Sequence, residues 1–229
     1  MKQQDPVIPE QPDLEFIAGQ LRKPSGDFAA NIAESMDKAN KPLFELTLEA
    51  MQLKNHEKIL EIGIGSGKFL NFLFSKASGL KVSGIDYSEE MVQKAREINK
   101  NAVASGKLSL LVGNSNRLPF DDHSFDKVFC NMVIYFWDEP AEHLKEVHRV
   151  LKPGGMFYSG FRPRKSMLQF PFVKHGFKLY SENEWESVLK RNGFELSTIS
   201  RQNDPEIVDE AETIRLESVC MVAEKNELE

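Results

Sequence analysis

The stretch Ile59-Leu60-Glu61-Ile62-Gly63-Ile64-Gly65-Ser66-Gly67-Lys68-Phe69-Leu70 decides the fold of this chain. Its apolar start predicts a short buried strand, three glycines spaced two apart predict a tight turn, and the apolar residues after them predict a helix. Glycine has no Cβ, so the backbone can turn sharply and a ligand can lie against it. The free N–H groups of the helix start point into the same space. The stretch therefore predicts a site for a nucleotide-like ligand in an α/β protein.

Strand and helix patterns alternate along the chain beyond this turn. Further strands are expected at 80–86, 108–113, 125–131, 156–161, 194–200 and 213–223, and helices at 67–77, 88–104, 140–151 and 182–192. The alternation predicts an α/β fold: a Rossmann-like, doubly wound, mostly parallel seven-stranded sheet with a C-terminal antiparallel strand. Residues 162–180 are expected to be a long irregular connection. We expect a main domain over residues 55–229 and a separate N-terminal segment over residues 1–54.

The N-terminal segment has its own pattern. Its prolines predict an irregular start over residues 1–27, and apolar spacing predicts two helices, at 28–38 and 41–54. Pro42 suits the first turn of the second helix. Because both helices precede the first strand, they are not its crossover connection. Two interpretations stay open: cap helices that lie over the ligand site, or helices that only pack on the main domain.

Length and composition limit the possible classes of function. The chain has 229 residues, 41% of them hydrophobic, and a formal net charge of −6, which fits one globular domain and weighs against a nucleic-acid binder with a broad basic surface. No apolar run approaches the ~20 residues of a membrane span, and the N-terminus lacks a signal-peptide core. Cys130 and Cys220 have no metal-ligand spacing and are interpreted as reduced thiols. We expect a cytoplasmic protein that binds no metal, nucleic acid or membrane; its oligomeric state is not predicted.

Polar residues and glycines follow the ends of the predicted strands. Gly63, Asp86, Asn114 and Asn131 fall at carboxyl ends, the edge at which open α/β sheets bind ligands. The spacing from Gly63 to Asp86 is close to the ~20 residues typical of a ribose-binding acid; the alternative is an aspartate that caps the next helix. A dinucleotide motif would need Gly or Ala in place of Lys68, and a phosphate-binding loop would need Ser or Thr after it. Neither motif fits.

Five short motifs occur in order between about Leu53 and Phe161. They are Leu60–Gly67, Gly84–Met91, Gly113–Phe120, Ser124–Val128 and His148–Gly155. With these motifs the chain resembles a class I S-adenosylmethionine-dependent methyltransferase of the broad small-molecule group. The resemblance covers roughly half of the chain. It implies S-adenosyl-L-methionine as cofactor and transfer of its methyl group to a small-molecule acceptor by in-line displacement.

The resemblance also implies which residues bind the cofactor. They are Glu61, Gly63, Gly65, Gly67, Asp86, Tyr87, Met91, Asn114, Ser115 and Asn131. In this reading the three glycines let the backbone meet the methionine part, Glu61 orients its amino group, and Asp86 holds the ribose. Tyr87 and Met91 would flank the adenine.

Three of these residues lie at the ends of the third and fourth strands. Asn114 stands where the family usually has an aspartate that reads the adenine amino group, so an amide oxygen would accept that hydrogen bond without a full charge. Ser115 would offer its backbone N–H to the adenine ring. Asn131 would lie near the methyl group and the substrate.

Substrate contacts are expected after the fourth and fifth strands, and no residue is assigned as a general base. Tyr135 and Phe136 could wall the substrate pocket, with core packing as an equal alternative. His175 lies in the connection after the fifth strand, a usual substrate-facing region, whereas His143 and His148 are interpreted as structural or solvated histidines on a helix.

A basic run adds a hypothesis about the substrate. No acid occurs from Val147 to Ser181, although this range contains seven Lys or Arg residues, including Arg162. This asymmetry suggests that residues 162–178 contribute basic groups to an anionic substrate or a partner. The alternative is a solvated loop.

Three rival functions stay open at this point. One is methylation of RNA or protein, which the acidic composition mildly disfavours. Another is a non-catalytic protein that keeps the fold as a cofactor sensor or partner-regulating subunit, an option that Asn114 keeps open. The third is a nicotinamide oxidoreductase, which Lys68 and the Leu118-Pro119-Phe120 motif disfavour.

Overall fold

The computed structural model describes residues 13–209 and 212–226. Its strands are β1 (Lys58–Ile62), β2 (Lys81–Asp86), β3 (Leu108–Val112), β4 (Phe125–Asn131), β5 (Leu151–Phe161), β6 (Phe194–Asn203), β7 (Ile207–Asp209), β8 (Glu212–Ile214) and β9 (Glu217–Lys225). Its helices are α1 (Leu14–Arg22), α2 (Ala29–Met51), α3 (Leu70–Lys76), α4 (Glu89–Ile98), α5 (Lys100–Ala104), α6 (Pro140–Val150), α7 (Arg164–Met167) and α8 (Glu182–Arg191). Short 3-10 turns occupy Gly26–Phe28, Ile134–Phe136 and Pro171–Lys174.

Seven of these strands form one sheet in the order β3-β2-β1-β4-β5-β9-β6. The strands β1 to β5 pair in parallel, and β9 runs antiparallel to both β5 and β6. The predicted seven-stranded, mostly parallel sheet with a C-terminal antiparallel strand is therefore confirmed. Strand order reverses beside β1, so the glycine turn leaves the sheet at the switch point where such folds bind ligands.

The core fills both faces of the sheet. On one face, Val128 of β4 packs in a cluster with Leu144 of α6 and Trp185 of α8. On the other, Phe129 of β4 packs with Phe44 of α2 and with residues of α3 and α4. Successive strand residues point to opposite faces, so both must be apolar where helices cover both. None of the helices within the described ranges combines the length and apolar composition that a bilayer crossing requires.

Helix α1 lies in the part of the chain predicted to be irregular. The prediction is wrong for residues 14–22, and residues 1–12 lie outside the described residues. The prolines that suggested irregular structure flank α1 rather than interrupt it, so they do not remove any of its hydrogen bonds. Their positions were informative about where a helix could begin and end, not about its absence.

Helix α2 runs without a break through Pro42, where two helices were predicted. An interior proline costs about 3 kcal/mol because it removes one hydrogen bond to the preceding turn. The residues after it include Leu43 and Met51, which are almost fully buried, and each such side chain contributes about 1.5–3 kcal/mol. Burial of this half of the helix outweighs the proline.

Other boundaries differ from the prediction by smaller amounts. Strand β5 begins at Leu151 rather than Met156, because Leu151 already pairs with Phe125 before an irregularity in register. The strand predicted at 213–223 is divided between β8 and β9, and the predicted irregular connection contains α7 and a 3-10 turn. The helix predicted at 88–104 is divided at Asn99, whose side chain donates hydrogen bonds to two backbone carbonyls.

Candidate functional site

A cavity of about 380 Å³ opens at the carboxyl ends of β1, β2, β3 and β4. Its volume falls in the ~300–1,000 Å³ range of small-molecule sites. Every residue predicted to bind the cofactor lines it except Gly67. The fold therefore brings together residues from four separate strand ends.

The glycine turn forms the floor of the cavity. Gly63 and Gly65 have φ angles of +75° and +53°, a backbone region that side chains disfavour. A Cβ on Gly63 would lie 2.3 Å from a methyl carbon of Val133, whereas a Cβ on Gly65 would meet nothing within 4 Å. Gly63 thus allows Val133 to close over the turn, and Gly65 presents bare backbone to open space.

Gly67 serves helix packing instead. Its φ is +68°, and an added Cβ would lie 2.7 Å from the Cβ of Ala95 on α4. Its carbonyl accepts a hydrogen bond from Asn99 Nδ2 at 2.9 Å. The expectation that Gly67 meets the ligand has no support in this geometry, because its free side faces α4 rather than the cavity.

Asp86 ties β2 to the glycine turn. Its Oδ2 accepts a hydrogen bond from the Gly65 N–H at 2.8 Å, and its Oδ1 accepts one from the Ser88 N–H at 2.9 Å. Burial raises the pKa of this carboxyl, and the N–H donors act against that rise. Ser88, not Asp86, caps α4, because its hydroxyl accepts from the Met91 N–H. Each carboxylate oxygen has a second lone pair, so hydroxyl groups of a ligand can still be bound.

Glu61 is a buried carboxyl on the cavity wall, 6% exposed. Burial, and then the negative charge of Asp86, raise its pKa well above its ordinary value. Within residues 13–209 and 212–226 no hydrogen-bond donor or cation reaches it. A buried carboxyl without a partner is costly, and an ammonium group of a bound ligand would satisfy it. The Glu61 carboxylate can accept hydrogen bonds from an ammonium group, so it fits the amino group of S-adenosylmethionine.

The far end of the cavity carries the residues predicted to bind adenine. Tyr87 is half exposed, with Lys23 Nζ 4.3 Å from its ring centre, and Met91 is buried. The side-chain oxygen of Asn114 accepts from the Asn116 N–H at 3.3 Å, so the amide caps its own turn and keeps one lone pair free.

His143 is a site residue that sequence reasoning missed. It lines the cavity from α6, and its Nδ1 lies 2.7 Å from the Ser115 hydroxyl oxygen. Its ring stacks on Trp137 with centroids 4.8 Å apart. Burial lowers its pKa to about 4, so the imidazole is neutral near pH 7. No local pattern marks His143, because its contacts come from segments far apart in sequence.

Helix α2 forms the roof of the cavity along its first half. Met36, Asp37 and Asn40 line the cavity, and both carboxylate oxygens of Asp37 lie within hydrogen-bond distance of the Ser66 hydroxyl in the glycine turn. The second half of α2 packs on the sheet. The cap and packing interpretations thus describe two halves of one helix.

The four predicted substrate contacts fall in different places. Phe136 lines the cavity, whereas Tyr135, Arg162 and His175 do not. The buried Tyr135 hydroxyl donates to the Arg162 carbonyl at 2.7 Å and accepts from its N–H at 2.6 Å, and burial raises its pKa. His175 is exposed beside the 3-10 turn at Pro171–Lys174. Core packing therefore describes Tyr135 better than substrate contact.

The basic run does not supply the cavity with cations. Five of its seven cations pair with acids: Arg149 with Asp122 and Glu146, Lys152 with Asp126, Arg162 with Asp204, Arg164 with Glu184, and Lys165 with Glu217. Lys178 donates to the Asp138 carbonyl, and neither it nor Lys174 lines the cavity. Among the described residues that line the cavity, the single cation is Arg22, and Asp138 pairs with it at 2.6 Å. The hypothesis of an anionic substrate held by residues 162–178 is not supported.

Known proteins resemble this chain over the same region. A family model described as a methyltransferase domain matches residues 60–159. Demethylmenaquinone methyltransferase of Staphylococcus carnosus is 33% identical over 160 residues, which cover 66% of this chain and 64% of the relative. 24-methylenesterol C-methyltransferase 2 of Arabidopsis thaliana is 35% identical over 115 residues, which cover 50% of this chain and 32% of that relative.

A solved structure extends the likeness to the whole fold. A protein from the Haloferax volcanii complex that contains the Trm112 methyltransferase activator matches with a TM-score of 0.77, over 87% of this chain and 96% of that one. Its 24% identity supports similarity of fold alone. The chain spans between about a third and two thirds of the length of the first curated relatives it matches.

Proposed function

Because the chain belongs to the class I S-adenosylmethionine-dependent methyltransferases, we propose that it transfers a methyl group from S-adenosylmethionine to a small-molecule acceptor. One observation carries the proposal: Glu61, Gly65, Asp86 and Asn131, which are separated in sequence, converge on one cavity at the switch point of the sheet. An acid for an ammonium, bare backbone and an acid for ribose hydroxyls are the groups that this cofactor requires.

The residues of the chain bind and orient the reactants. Asp86 would accept hydrogen bonds from the ribose hydroxyls while the Gly65 N–H fixes its direction. Glu61 would bind the amino group, and the ligand's positive charge would lower the pKa that burial raises. When bound, S-adenosylmethionine would supply a sulfonium methyl group for in-line transfer to a nucleophilic atom of the acceptor, with Asp86 and Glu61 holding its ribose and its amino group.

The acceptor would lie beside the segment that follows β4, beyond the end of the strand. Met36, Met132 and Phe136 give this part of the cavity an apolar wall, which suits an acceptor with an apolar body. The names of two relatives support a small-molecule acceptor, because one is a demethylmenaquinone methyltransferase and the other a 24-methylenesterol C-methyltransferase. Alignment of the acceptor with the methyl group can contribute about 7–11 kcal/mol to catalysis.

Two assays in sequence test the proposal. Calorimetric titration with S-adenosylhomocysteine should show saturable binding with one site. Incubation with methyl-labelled S-adenosylmethionine and a metabolite extract should then move label into small molecules. Absence of binding at millimolar ligand would contradict the proposed function, and binding without label transfer to any extract fraction would favour the non-catalytic alternative.

A further inference from the structure

Two carboxamides in the cavity wall have their oxygens already occupied. Asn131, at the end of β4, and Asn40, on the roof helix α2, both line the cavity. A carboxamide can present either its oxygen or its NH₂ group to a ligand. In both residues the protein binds the oxygen, so each amide is left with its donor group.

Asn131 is held by α2 and by β5. Its Oδ1 accepts a hydrogen bond from the Thr47 hydroxyl at 2.8 Å. A Cβ on Gly160 would lie 1.9 Å from the same oxygen, so only glycine leaves room for the carboxamide. Asn131 Nδ2 is buried and has no hydrogen-bond partner in the described part of the chain.

Asn40 is oriented by Arg162. Nη1 of Arg162 donates to Asn40 Oδ1 at 3.1 Å, and Nη2 donates to the Ala39 carbonyl at 2.6 Å. A guanidinium has no acceptor atom, so it can bind only the oxygen of the amide. A buried ion pair, with Arg162 Nη2 2.8 Å from Asp204 Oδ2, holds the guanidinium in place. Arg162 therefore acts on the site through Asn40 rather than on a ligand.

The described part of the cavity wall offers little positive charge to a ligand anion. Within the part of the chain that the structure describes, six carboxyl groups line the cavity, those of Asp37, Glu61, Asp86, Asp138, Glu139 and Glu142. The cation Arg22 is committed to Asp138. A carboxylate that enters this cavity must therefore be bound by neutral N–H donors, since bringing it in without donors would be costly.

We propose that Asn131 and Asn40 donate hydrogen bonds to the amino-acid carboxylate of S-adenosylmethionine, with Thr47 and Arg162 as positioning residues. The proposal rests on the proposed function. Cys130, which precedes Asn131, pairs with Ile62 across β4 and β1, so Asn131 lies beside Gly63, where the methionine part is expected. On α2, Asn40 precedes Thr47 by two helical turns, which places both on one face.

The test compares two ligands that differ only in this carboxylate. The probes are S-adenosylhomocysteine and 5′-deoxy-5′-(3-aminopropylthio)adenosine, which keeps the ammonium and lacks the carboxylate. By calorimetry, the parent protein should bind the first about tenfold or more tightly than the second, since hydrogen bonds to a charged group are the strong ones. Asn131→Leu and Asn40→Leu should each reduce this preference by about fivefold or more. The affinity for the analogue without the carboxylate should change little.

Variants of Thr47 separate orientation from packing. Thr47→Val keeps the shape and loses the hydroxyl, so it should reduce the preference, and Thr47→Ser should restore it. If Asn131→Leu fails to fold, the variants Asn40→Leu, Thr47→Val and Thr47→Ser still test whether the amides bind the carboxylate. An unchanged preference in these variants would overturn the inference, as would equal loss of affinity for both ligands. A parent protein that binds neither ligand would instead contradict the proposed function.

Discussion

Asp86 performs two tasks with one carboxylate. It accepts the Gly65 and Ser88 N–H groups, which shapes the glycine turn, and it faces the cavity, where ribose hydroxyls would bind. Hydrogen bonds to a charged group contribute about 1.5–3 kcal/mol each. Loss of this group should therefore affect the ligand more than any other single change on the β2 side of the cavity.

Asp86→Ala should weaken S-adenosylhomocysteine binding at least about tenfold, measured by calorimetry. Asp126→Ala is the matched control, because Asp126 also accepts a backbone N–H, that of Lys58, at 2.8 Å but does not line the cavity. The control should retain parental affinity. Equal affinity in Asp86→Ala and the parent would remove the ribose assignment.

Glu61 illustrates a conflict between stability and binding. Its pKa is raised in the folded protein, so folding favours the protonated form. The resulting cost is absent below the pKa of the unfolded chain, about 4.3, and it grows as pH rises toward the folded-state pKa. A neutral residue of the same shape would avoid this cost and lose the charge that a ligand ammonium requires.

We expect Glu61→Gln to raise the midpoint of thermal unfolding near pH 7 and to weaken S-adenosylhomocysteine binding. The gain in midpoint should shrink as the pH is lowered to about 4, where the parent glutamate is protonated in both states. Scanning calorimetry across this pH range gives the measurement. A destabilised Glu61→Gln at neutral pH would show that the charged carboxyl has a partner in the fold.

The positions of residues in the fold were predictable where a local motif marks them. Gly63, Gly65 and Asp86 lie at strand ends that the sequence pattern located, and all three line the cavity. The packing of Gly67 against α4 and the place of His143 on the cavity wall were not predictable, because both depend on how the helices pack. A motif identifies the backbone geometry of a turn, but it does not identify which of its glycines faces a ligand and which faces a helix.

At the scale of elements, three polar contacts hold α1 and the first half of α2 over the cavity. Arg22, at the end of α1, pairs with Asp138 after β4, and Ser66 in the glycine turn bonds Asp37 on α2. Pro24 between the helices accepts a hydrogen bond from the Ser88 hydroxyl at 2.6 Å. These contacts join α1, α2 and the segment between them to the strand ends that line the cavity.

Arg22→Gln should raise the dissociation rate of S-adenosylhomocysteine by no more than about fivefold, because an exposed ion pair contributes roughly 0–1 kcal/mol. The increase should diminish at high salt, which screens the parental pair. Arg215→Gln is the control, since its pair with Glu206 is also exposed and lies away from the cavity. Stopped-flow release measurements that find the two variants alike would exclude the Arg22 contact as a restraint on the roof.

The elements themselves were predictable in kind and less so in extent. Short apolar runs located every strand of the main sheet, because strands buried on both faces are apolar along their whole length. The continuity of α2 through Pro42 was not predictable, since the burial that outweighs the proline depends on the sheet beneath it. Nor did the sequence reveal that the two halves of α2 have different neighbours.

At the scale of the whole molecule, the distribution of charge separates the cavity from the surface. The acid-free run from Val147 to Ser181 finds its counter-charges on distant segments, such as Asp204, Glu184 and Glu217. The run contains cations without acids in the sequence, but the fold brings acids of other segments beside several of those cations. The cavity itself carries an excess of carboxyl groups, which suits the sulfonium and ammonium charges of the cofactor.

The most direct measurement of the central claim is a crystal structure with S-adenosylhomocysteine bound. Our account predicts the adenosine at the carboxyl ends of β1 and β2, with both ribose hydroxyls within hydrogen-bond distance of Asp86 and the amino group beside Glu61. A nucleoside bound outside this cavity, or within it but with its ribose away from Asp86, would contradict the account.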